Sequence, residues 1–256
     1  MGRVWFRFYA ELNDFLPPEL RSRSFSYEYN GQPTVKDAIE SLGVPHVEVE
    51  LIIANGESVD FSYRLRDGDR IAVYPVFESL DVHEILRIRR TPLRKLAFAC
   101  DAHLGKLARL LRLLGFDTFH VPGISDAELI ELSKAGRIIL TRDRQLLKHG
   151  GVTHGYWVRS TVPLEQAQEV VRRFDLRAQI APFTRCLACN GPLRPLPKEE
   201  ALPKVPPKVR EWCEEFLVCT DCGRIFWPGT HYPKLASLVQ VLKEAQTNAG
   251  KHGPKP

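Results

Sequence analysis

The 256-residue sequence lacks any run of about 18 apolar residues, the minimum length for a membrane-spanning helix. The first residues, "MGRVWFRFYAEL", alternate between apolar and polar types, so the apolar block of a secretory signal peptide is also missing. No internal repeat is visible. With 44% hydrophobic residues, the chain can bury real cores. We therefore expect a folded cytoplasmic protein with no membrane partner, and the sequence does not predict its oligomeric state.

Cysteine is scarce, and its spacing is informative. Four of the six cysteines form two C-x-x-C pairs, which favours metal binding in a reducing compartment over a disulfide framework. Two such pairs supply the four thiolates of a tetrahedral structural Zn²⁺ site, and the predicted ligands are Cys186, Cys189, Cys219 and Cys222.

The 29 residues between the two pairs exceed the usual zinc-ribbon gap, and the insertion "PLRPLPKEEALPKVPPK" accounts for the excess. A redox C-x-x-C motif is the alternative. It requires a pair at a helix start, whereas "CNGPL" and "CGRIF" resemble turns. Cys100 and Cys213 are left as ordinary buried thiols.

The net charge of +5 is unevenly distributed. The first 80 residues contain 8 Lys/Arg and 13 Asp/Glu, and the rest contain 28 and 18. An ordinary solvated surface tolerates this asymmetry, but it favours an anionic partner for the later segments.

Residues 1–80 show strand-like alternation around a short helix, "TVKDAIESLG". Thr34 and Asp37 fit a capping box, and Asn55-Gly56 is a strong hairpin turn. The order β-β-α-β-β resembles the ubiquitin-like β-grasp domains of small sulfur carriers. Those carriers act through a terminal Gly-Gly, but Phe77 continues into "ESLDVHEIL". We therefore favour a module that interacts with a protein partner, or one that positions another part of the chain, over a sulfur-transfer role.

Residues 81–95 are predicted to be a basic linker. Its second part, "LRIRRTPLRK", contains five basic residues and no acid, and Pro92 opposes a continuous helix. A solvated connector and an RNA-backbone contact explain this segment equally well.

From 96 to 183 the pattern changes to alternating strands and helices. The segments "KLAFACD", "DTFHV", "RIILTRD" and "YWVRS" are predicted strands. Helices between them, such as "HLGKLARLLRLLGF", indicate an α/β domain whose parallel sheet has helices on both faces. Residues 184–246 would form the zinc ribbon and a last helix, and residues 247–256 a disordered tail.

Acidic residues follow two of these strands. Ligands of open α/β sheets bind beyond the carboxyl ends of the strands, and Asp101 and Asp143 lie at such ends. Asp126 or Glu128, in the first turn of the intervening helix, could add a third acid. Converging carboxylates repel each other unless a cation such as Mg²⁺ or Mn²⁺ lies between them. Any one of these acids could instead be a helix cap or an ion-pair partner.

Basic residues accompany the acids. A stripe on the leucine-rich helix and the two arginines around Asp143 are candidate RNA contacts, namely Lys106, Arg109, Arg112, Arg142 and Arg144. A solvated helix face explains the stripe as well. His231 in "WPGTHY" has two candidate roles, an RNA contact and a local hydrogen bond within a turn. The sequence slightly favours the hydrogen bond.

The motifs "DAHLGKLARLLRLLGFDT", "SDAELIELSKAGRIILTRDRQLL" and "CTDCGRIFWPGTHY" occur in this order. In this respect the chain resembles the Mut-seven-C family, a branch of the PIN-like ribonucleases with its own zinc ribbon and, as a known companion, an N-terminal ubiquitin-like domain. The resemblance implies a PIN-like fold and metal-dependent RNase activity.

It also implies roles for individual residues. Asp101 would match the first PIN acid, Asp143 and Thr141 the Thr-x-Asp motif, and Asp126 or Glu128 the helical acid. A fourth acid, common in PIN nucleases, has no match here. The prediction is therefore a metal-dependent ribonuclease, and the alternative is an RNA-binding or ribosome-associated adaptor with a vestigial acidic pocket.

Overall fold

The computed structural model describes residues 1–75 and 96–244. The predicted linker and the predicted tail therefore lie outside the described residues. In chain order the strands are β1 Gly2–Phe8, β2 Phe25–Tyr29, β3 Val49–Ala54, β4 Glu57–Val59, β5 Arg70–Pro75, β6 Ala97–Cys100, β7 Asp117–Phe119, β8 Ile138–Thr141, β9 Gly155–Trp157, β10 Leu193–Leu196, β11 Phe216–Cys219 and β12 Ile225–Phe226.

The α-helices are α1 Val35–Ser41, α2 Gly105–Leu113, α3 Asp126–Lys134, α4 Arg144–Lys148, α5 Pro163–Arg173, α6 Lys198–Ala201, α7 Pro207–Arg210 and α8 Tyr232–Glu244. Short 3-10 helices cover Ala10–Phe15, Pro18–Leu20, His46–Glu48, Ala102–Leu104, Arg177–Gln179 and Leu202–Lys204. These elements form two compact units, one from residues 1–75 and 125–157, the other from residues 96–124 and 158–244.

The first unit contains the β-grasp sheet, with strand order β2-β1-β5-β3-β4. Strands β1 and β5 are parallel and the other neighbours are antiparallel. Helix α1 begins at Thr34 with the predicted capping box, and the left-handed Asn55 and Gly56 form the predicted hairpin turn. The apolar side chains of α1 and of the central strands share one core. The ubiquitin-like prediction for this region is confirmed.

The same unit contains α3, β8, α4 and β9, and β8 pairs with β9 in parallel. Residues of the β-grasp part contact this segment directly. The backbone N–H of Trp157 donates to Glu48 at 2.6 Å, and the ring of His46 joins Glu40 to the carbonyl oxygen of Val152. The N-terminal domain therefore packs against part of the α/β region of its own chain.

An aromatic contact completes this packing. The guanidinium of Arg144, the first residue of α4, lies 3.8 Å from the centre of the Trp157 ring and 5.3 Å from that of Phe15. The two rings are 5.0 Å apart. A cation that lies against two adjoining aromatic rings contributes both electrostatic attraction and buried area.

In the second unit, β6 and β7 pair in parallel and α2 packs against α5. The predicted core leucines of the α2 region are buried, namely Leu104, Leu107, Leu111 and Leu114. The C-terminal part is an antiparallel sheet of order β10-β11-β12. The insertion between the cysteine pairs folds as α6 and α7, and covers a small apolar core around Phe216. The parallel α/β fold class is thus confirmed.

We predict that Trp157→Ala lowers the free energy of unfolding by about 3 kcal/mol, because it removes a large ring that packs on Phe15 and Arg144. Urea denaturation of the full chain measures this change. Trp5→Ala is the matched control, since Trp5 lies on the exposed side of β1, and we expect a change below about 1 kcal/mol. Equal losses in both variants would contradict the interface described above.

Candidate metal centre and candidate acidic site

The two C-x-x-C pairs meet in the second unit. The four Sγ atoms of Cys186, Cys189, Cys219 and Cys222 all lie within 4.8 Å of one another. The Cys186–Cys222 separation is 3.8 Å and the Cys189–Cys219 separation is 3.3 Å. Four sulfurs bound tetrahedrally to Zn²⁺ at about 2.3 Å are about 3.8 Å apart, so this donor set fits zinc. The cluster can therefore hold a metal such as zinc, as the sequence predicted.

Backbone geometry holds the sulfurs in place. The N–H of Gly191 donates to Cys189 Sγ and the N–H of Cys222 donates to Cys219 Sγ. A Cβ on Gly191 would lie 2.6 Å from Asp221 and 2.8 Å from Cys219 Sγ, so only glycine fits there. Gly223, directly after the second pair, has a left-handed φ of 69°. Each pair thus ends in a tight turn that a side chain at this glycine would disturb.

The thiols of the cluster differ in acidity. The backbone N–H of Arg224 and the neighbouring cysteines lower the pKa of Cys222 to about 7. Desolvation of the thiol and hydrogen bonds with the neighbouring cysteines raise the pKa of Cys189 to about 12. Metal binding requires thiolates, so a bound metal must displace protons from most of these groups.

We predict that the full chain binds one Zn²⁺ and that its affinity falls as the pH is lowered, more steeply below about 7, where Cys222 also becomes protonated. Competition with a chelator at pH 8 and pH 6 measures this. Cys219→Ser should weaken zinc binding at least about 100-fold. Cys213→Ala should not, because Cys213 is buried beside Glu215, whose carbonyl oxygen accepts its S–H. Equal zinc affinities for the two variants would contradict the assignment.

A buried arginine attaches the cysteine cluster to the α/β part of the second unit. Arg112 donates from Nε to the carbonyl oxygen of Thr118 at 2.9 Å and from Nη1 to that of Ala188 at 2.9 Å. Further bonds reach the carbonyl oxygens of Leu187 and His120. Leu187 and Ala188 are the two residues between the first pair of cysteines. Arg112 therefore holds the first metal-binding turn.

This position differs from the predicted exposed stripe. Lys106 and Arg109 are exposed on α2, but Arg112 is only 4% exposed. The reason is that α2 turns this side chain toward β7 and the cysteine turn, where backbone carbonyls replace water. Burial lowers the pKa of Arg112 from its ordinary value. The predicted position of Arg112 on the exposed face of α2 is therefore wrong. Its guanidinium is buried and binds backbone carbonyl groups.

Asn190 is a second attachment point that sequence reasoning missed. Its side chain accepts from the backbone N–H of Thr118 and donates to Asp117, both on β7. Asn190 has a left-handed φ of 74°, a conformation that asparagine tolerates better than most residues. The Asn-Gly dipeptide that follows "CLAC" was the available signal.

We predict that Arg112→Met lowers the free energy of unfolding by about 3 kcal/mol, because several buried carbonyl groups lose a charged donor. Arg109→Met on the same helix is the matched control and should change stability by less than about 0.5 kcal/mol. Chemical denaturation of zinc-loaded protein provides the comparison. An unchanged free energy of unfolding in Arg112→Met would show that the turn does not depend on this side chain.

The candidate acids begin the elements that follow the strands. Asp101 comes directly after β6, is 8% exposed, and its Oδ1 accepts from the N–H of His103 as the cap of the next 3-10 helix. Asp143 comes two residues after β8, is exposed, and caps α4 by accepting from the N–H of Gln145 at 2.7 Å. The capping role that the sequence left open is thus present for both. A carboxylate has two oxygens, so capping through one is compatible with metal ligation.

Thr141 lies inside the turn of Asp143. It is fully buried, and its Oγ1 accepts from the N–H of Asp143 at 2.9 Å. The hydroxyl therefore fixes the backbone that carries the acid.

The helical acids lie at the start of α3. Glu128 forms a capping box with Ser125, and these bonds hold the pKa of the Glu128 carboxyl below its ordinary value of 4.5. Asp126 is exposed in the same turn. Within residues 125–157, Asp126, Glu128 and Asp143 do not form a preformed group of metal ligands. Their participation in one site stays a prediction.

Beyond the cysteine cluster, no group of three or more His, Cys, Asp or Glu ligands occurs in residues 1–75 and 96–244. No helix in these residues is both long and apolar enough to span a bilayer.

The chain thus combines a β-grasp domain, a parallel α/β region and a four-cysteine module. Two known protein families match these parts. Residues 96–239 match the family described as the Mut7-C RNAse domain, and residues 1–81 match the Mut7-C ubiquitin family. The first match covers more than half of the chain, which therefore belongs to the Mut7-C RNAse domain family. The resemblance noted from the sequence is confirmed.

Solved structures show more distant likenesses. The crystal structure of SAMP1 from Haloferax volcanii is 20% identical, with a TM-score of 0.25, and the match covers 31% of this chain and 100% of that chain. A putative molybdopterin converting factor, subunit 1, from Pyrococcus furiosus is 21% identical, with a TM-score of 0.24, over 30% of this chain and 100% of that chain. No curated protein matches the chain significantly.

Proposed function

We propose that this protein is a metal-dependent ribonuclease that hydrolyses RNA phosphodiester bonds at an acidic, PIN-like site. The observation that carries the proposal is the match of residues 96–239 to an RNAse domain. Two of its acids, Asp101 and Asp143, follow the strands β6 and β8. Both strands belong to parallel pairs, and ligand sites of parallel sheets lie beyond the carboxyl ends of the strands.

Carboxylate oxygens are the ligands that Mg²⁺ and Mn²⁺ prefer, so the candidate residues fit such an ion. When bound, the ion supplies an activated water and neutralises charge on the phosphate. Asp101 and Asp143 would be the ligands, with Asp126 or Glu128 in support. Thr141 would act as a positioning residue, because its buried hydroxyl fixes the turn that carries Asp143.

Basic side chains would hold the RNA backbone. Lys106 and Arg109 are exposed on α2, and Arg142 is exposed beside Asp143. Arg144 is the weaker candidate, since its guanidinium stacks on Trp157 and Phe15. Cations at such positions would pair with phosphates in a salt-dependent manner.

The four-cysteine cluster would bind a structural Zn²⁺, because all four positions of a tetrahedral ion would be filled by thiolates. A reducing, cytoplasmic location is part of the proposal, since it keeps these thiols available. The β-grasp domain would position the nuclease segment against which it packs, and it is also a candidate surface for a protein partner.

The capping bonds of the acids favour a second candidate function. Asp101 and Asp143 cap helices, Glu128 completes the capping box of Ser125, and a fourth acid is not identified. A non-catalytic RNA-binding or ribosome-associated adaptor would retain acids for this reason alone. Salt-sensitive RNA binding without cleavage would support the adaptor.

Cleavage of labelled RNA in the presence of Mn²⁺ or Mg²⁺ tests the nuclease. We predict that Asp143→Asn lowers the cleavage rate about 100-fold or more, because the amide is a poor metal ligand. Asparagine caps helices as well as aspartate does, so this variant should stay folded. Asp175→Asn, an exposed substitution at a left-handed residue, is the matched control and should cleave normally. Absence of cleavage by the wild type, or undiminished cleavage by Asp143→Asn, would reject the proposal.

A further inference from the structure

A groove with a volume of about 580 Å³ lies in the second unit, between the sheet β10-β11-β12 and helix α8. Its walls are mostly apolar and aromatic, and they include Phe183, Leu217, Phe226, Trp227, Tyr232 and Leu235. This volume is within the range of small-ligand pockets, such as one that admits a nucleobase with its sugar. We refer to these residues as the aromatic groove.

The rings of the aromatic groove are partly exposed, and Trp227 also packs against the core around Phe216. Phe183 and Tyr232 have ring centres 5.0 Å apart at an interplanar angle of 31°, and Tyr232 is 42% exposed. Trp227 is half-buried, and Gly229 lies against the edge of its indole ring that carries Nε1. Together they offer flat faces of the kind on which unpaired bases stack.

Phe183 adopts an uncommon backbone conformation in this groove. Its φ is 59°, in the left-handed region, which costs a bulky residue about 1–2 kcal/mol. Residues held in such conformations concentrate at binding and catalytic sites. The strain accompanies the placement of the Phe183 ring beside Tyr232.

The polar groups of the aromatic groove are suited to a nucleotide. Arg185 and His231 belong to its lining, but the guanidinium of Arg185 already pairs with Asp117 and donates to the carbonyl oxygen of Asn190. The cations of the rim are therefore the exposed Arg224 and Lys234, which lie next to lining residues in the chain. Glu215 is the acid of the lining. The cationic excess suits the phosphates of a strand that runs along the rim. The carboxylate suits a base that carries an amino group.

We propose that the aromatic groove binds an unpaired base of single-stranded RNA and thereby anchors the substrate on the four-cysteine module. The inference rests on the proposed function for the identity of the ligand, since an RNAse domain requires an RNA strand. A compact pocket with aromatic faces and a basic rim fits a stacked base better than an extended peptide, which would require a longer groove.

Binding can be measured separately from cleavage. Fluorescence polarisation with a labelled single-stranded RNA would use the zinc-loaded full chain with Asp143→Asn, which keeps the RNA intact. We predict that adding Trp227→Ala or Tyr232→Ala weakens RNA binding about 5-fold to 100-fold, the loss expected for one stacked base. Trp212→Ala is the matched control, because Trp212 is 52% exposed in the same module and does not line the groove.

The control should bind RNA within about two-fold of its parent. Zinc content and circular dichroism establish that each variant is folded. Unchanged binding in both groove variants would overturn the proposal. The two proposals can fail separately. If the groove variants lose RNA binding but the wild-type chain does not cleave RNA, the nuclease proposal is rejected and the proposal that the groove binds RNA is supported.

Photocrosslinking avoids any effect of substitution on folding. RNA that contains 4-thiouridine would be irradiated with the wild-type chain, and the adducts located by mass spectrometry. We expect adducts on the lining of the groove, at Phe183 or Leu217 or within residues 225–235. Adducts confined to segments that do not line the groove would overturn the proposal.

Discussion

The proposed acidic site depends on a junction found after β6 and again after β8: a buried strand, an aspartate and the start of a helix. At β6 and at β8 the strand is buried because its side chains are mostly apolar, and the chain turns at its carboxyl end. Aspartate satisfies the first free N–H groups of the next helical turn, as Asp101 and Asp143 both do. The same requirement places carboxylates where ligands of parallel sheets bind. Asp101 and Asp143 can therefore serve both as helix caps and, under our proposal, as metal ligands.

Much of this could be predicted from local sequence. Capping boxes at Thr34 and Ser125 require only a few neighbouring residues, and both are present. Burial of the α2 leucines follows from helical periodicity. The four thiolates were identifiable because two short pairs have few other uses in a reducing compartment.

Other features depend on distant parts of the chain and could not be read in this way. Arg112 has the spacing of an exposed stripe, but carbonyl groups of residues 187 and 188 make its burial favourable. Arg144 looks like a phosphate contact in sequence, whereas Trp157 and Phe15 provide a stacking site for its guanidinium. Helical periodicity predicts the face of the helix on which a residue lies, but it does not predict which distant segment packs against that face.

The four-cysteine module is more than an appended metal site. Arg112 and Asn190 join its first turn to α2 and β7, so a metal that orders this turn also supports the α/β part of the same unit. Binding energy of a structural zinc is available as folding energy in such modules. The aromatic groove lies on this module, which gives the module a role in RNA binding under our proposal.

A crystal soaked in Mn²⁺ tests the central claim most directly, because the anomalous signal reports each ion and its ligands. We predict manganese bound jointly by Asp101 and Asp143. Crystals in which both carboxylates serve only as helix caps, with no manganese near either of them, would contradict the claim.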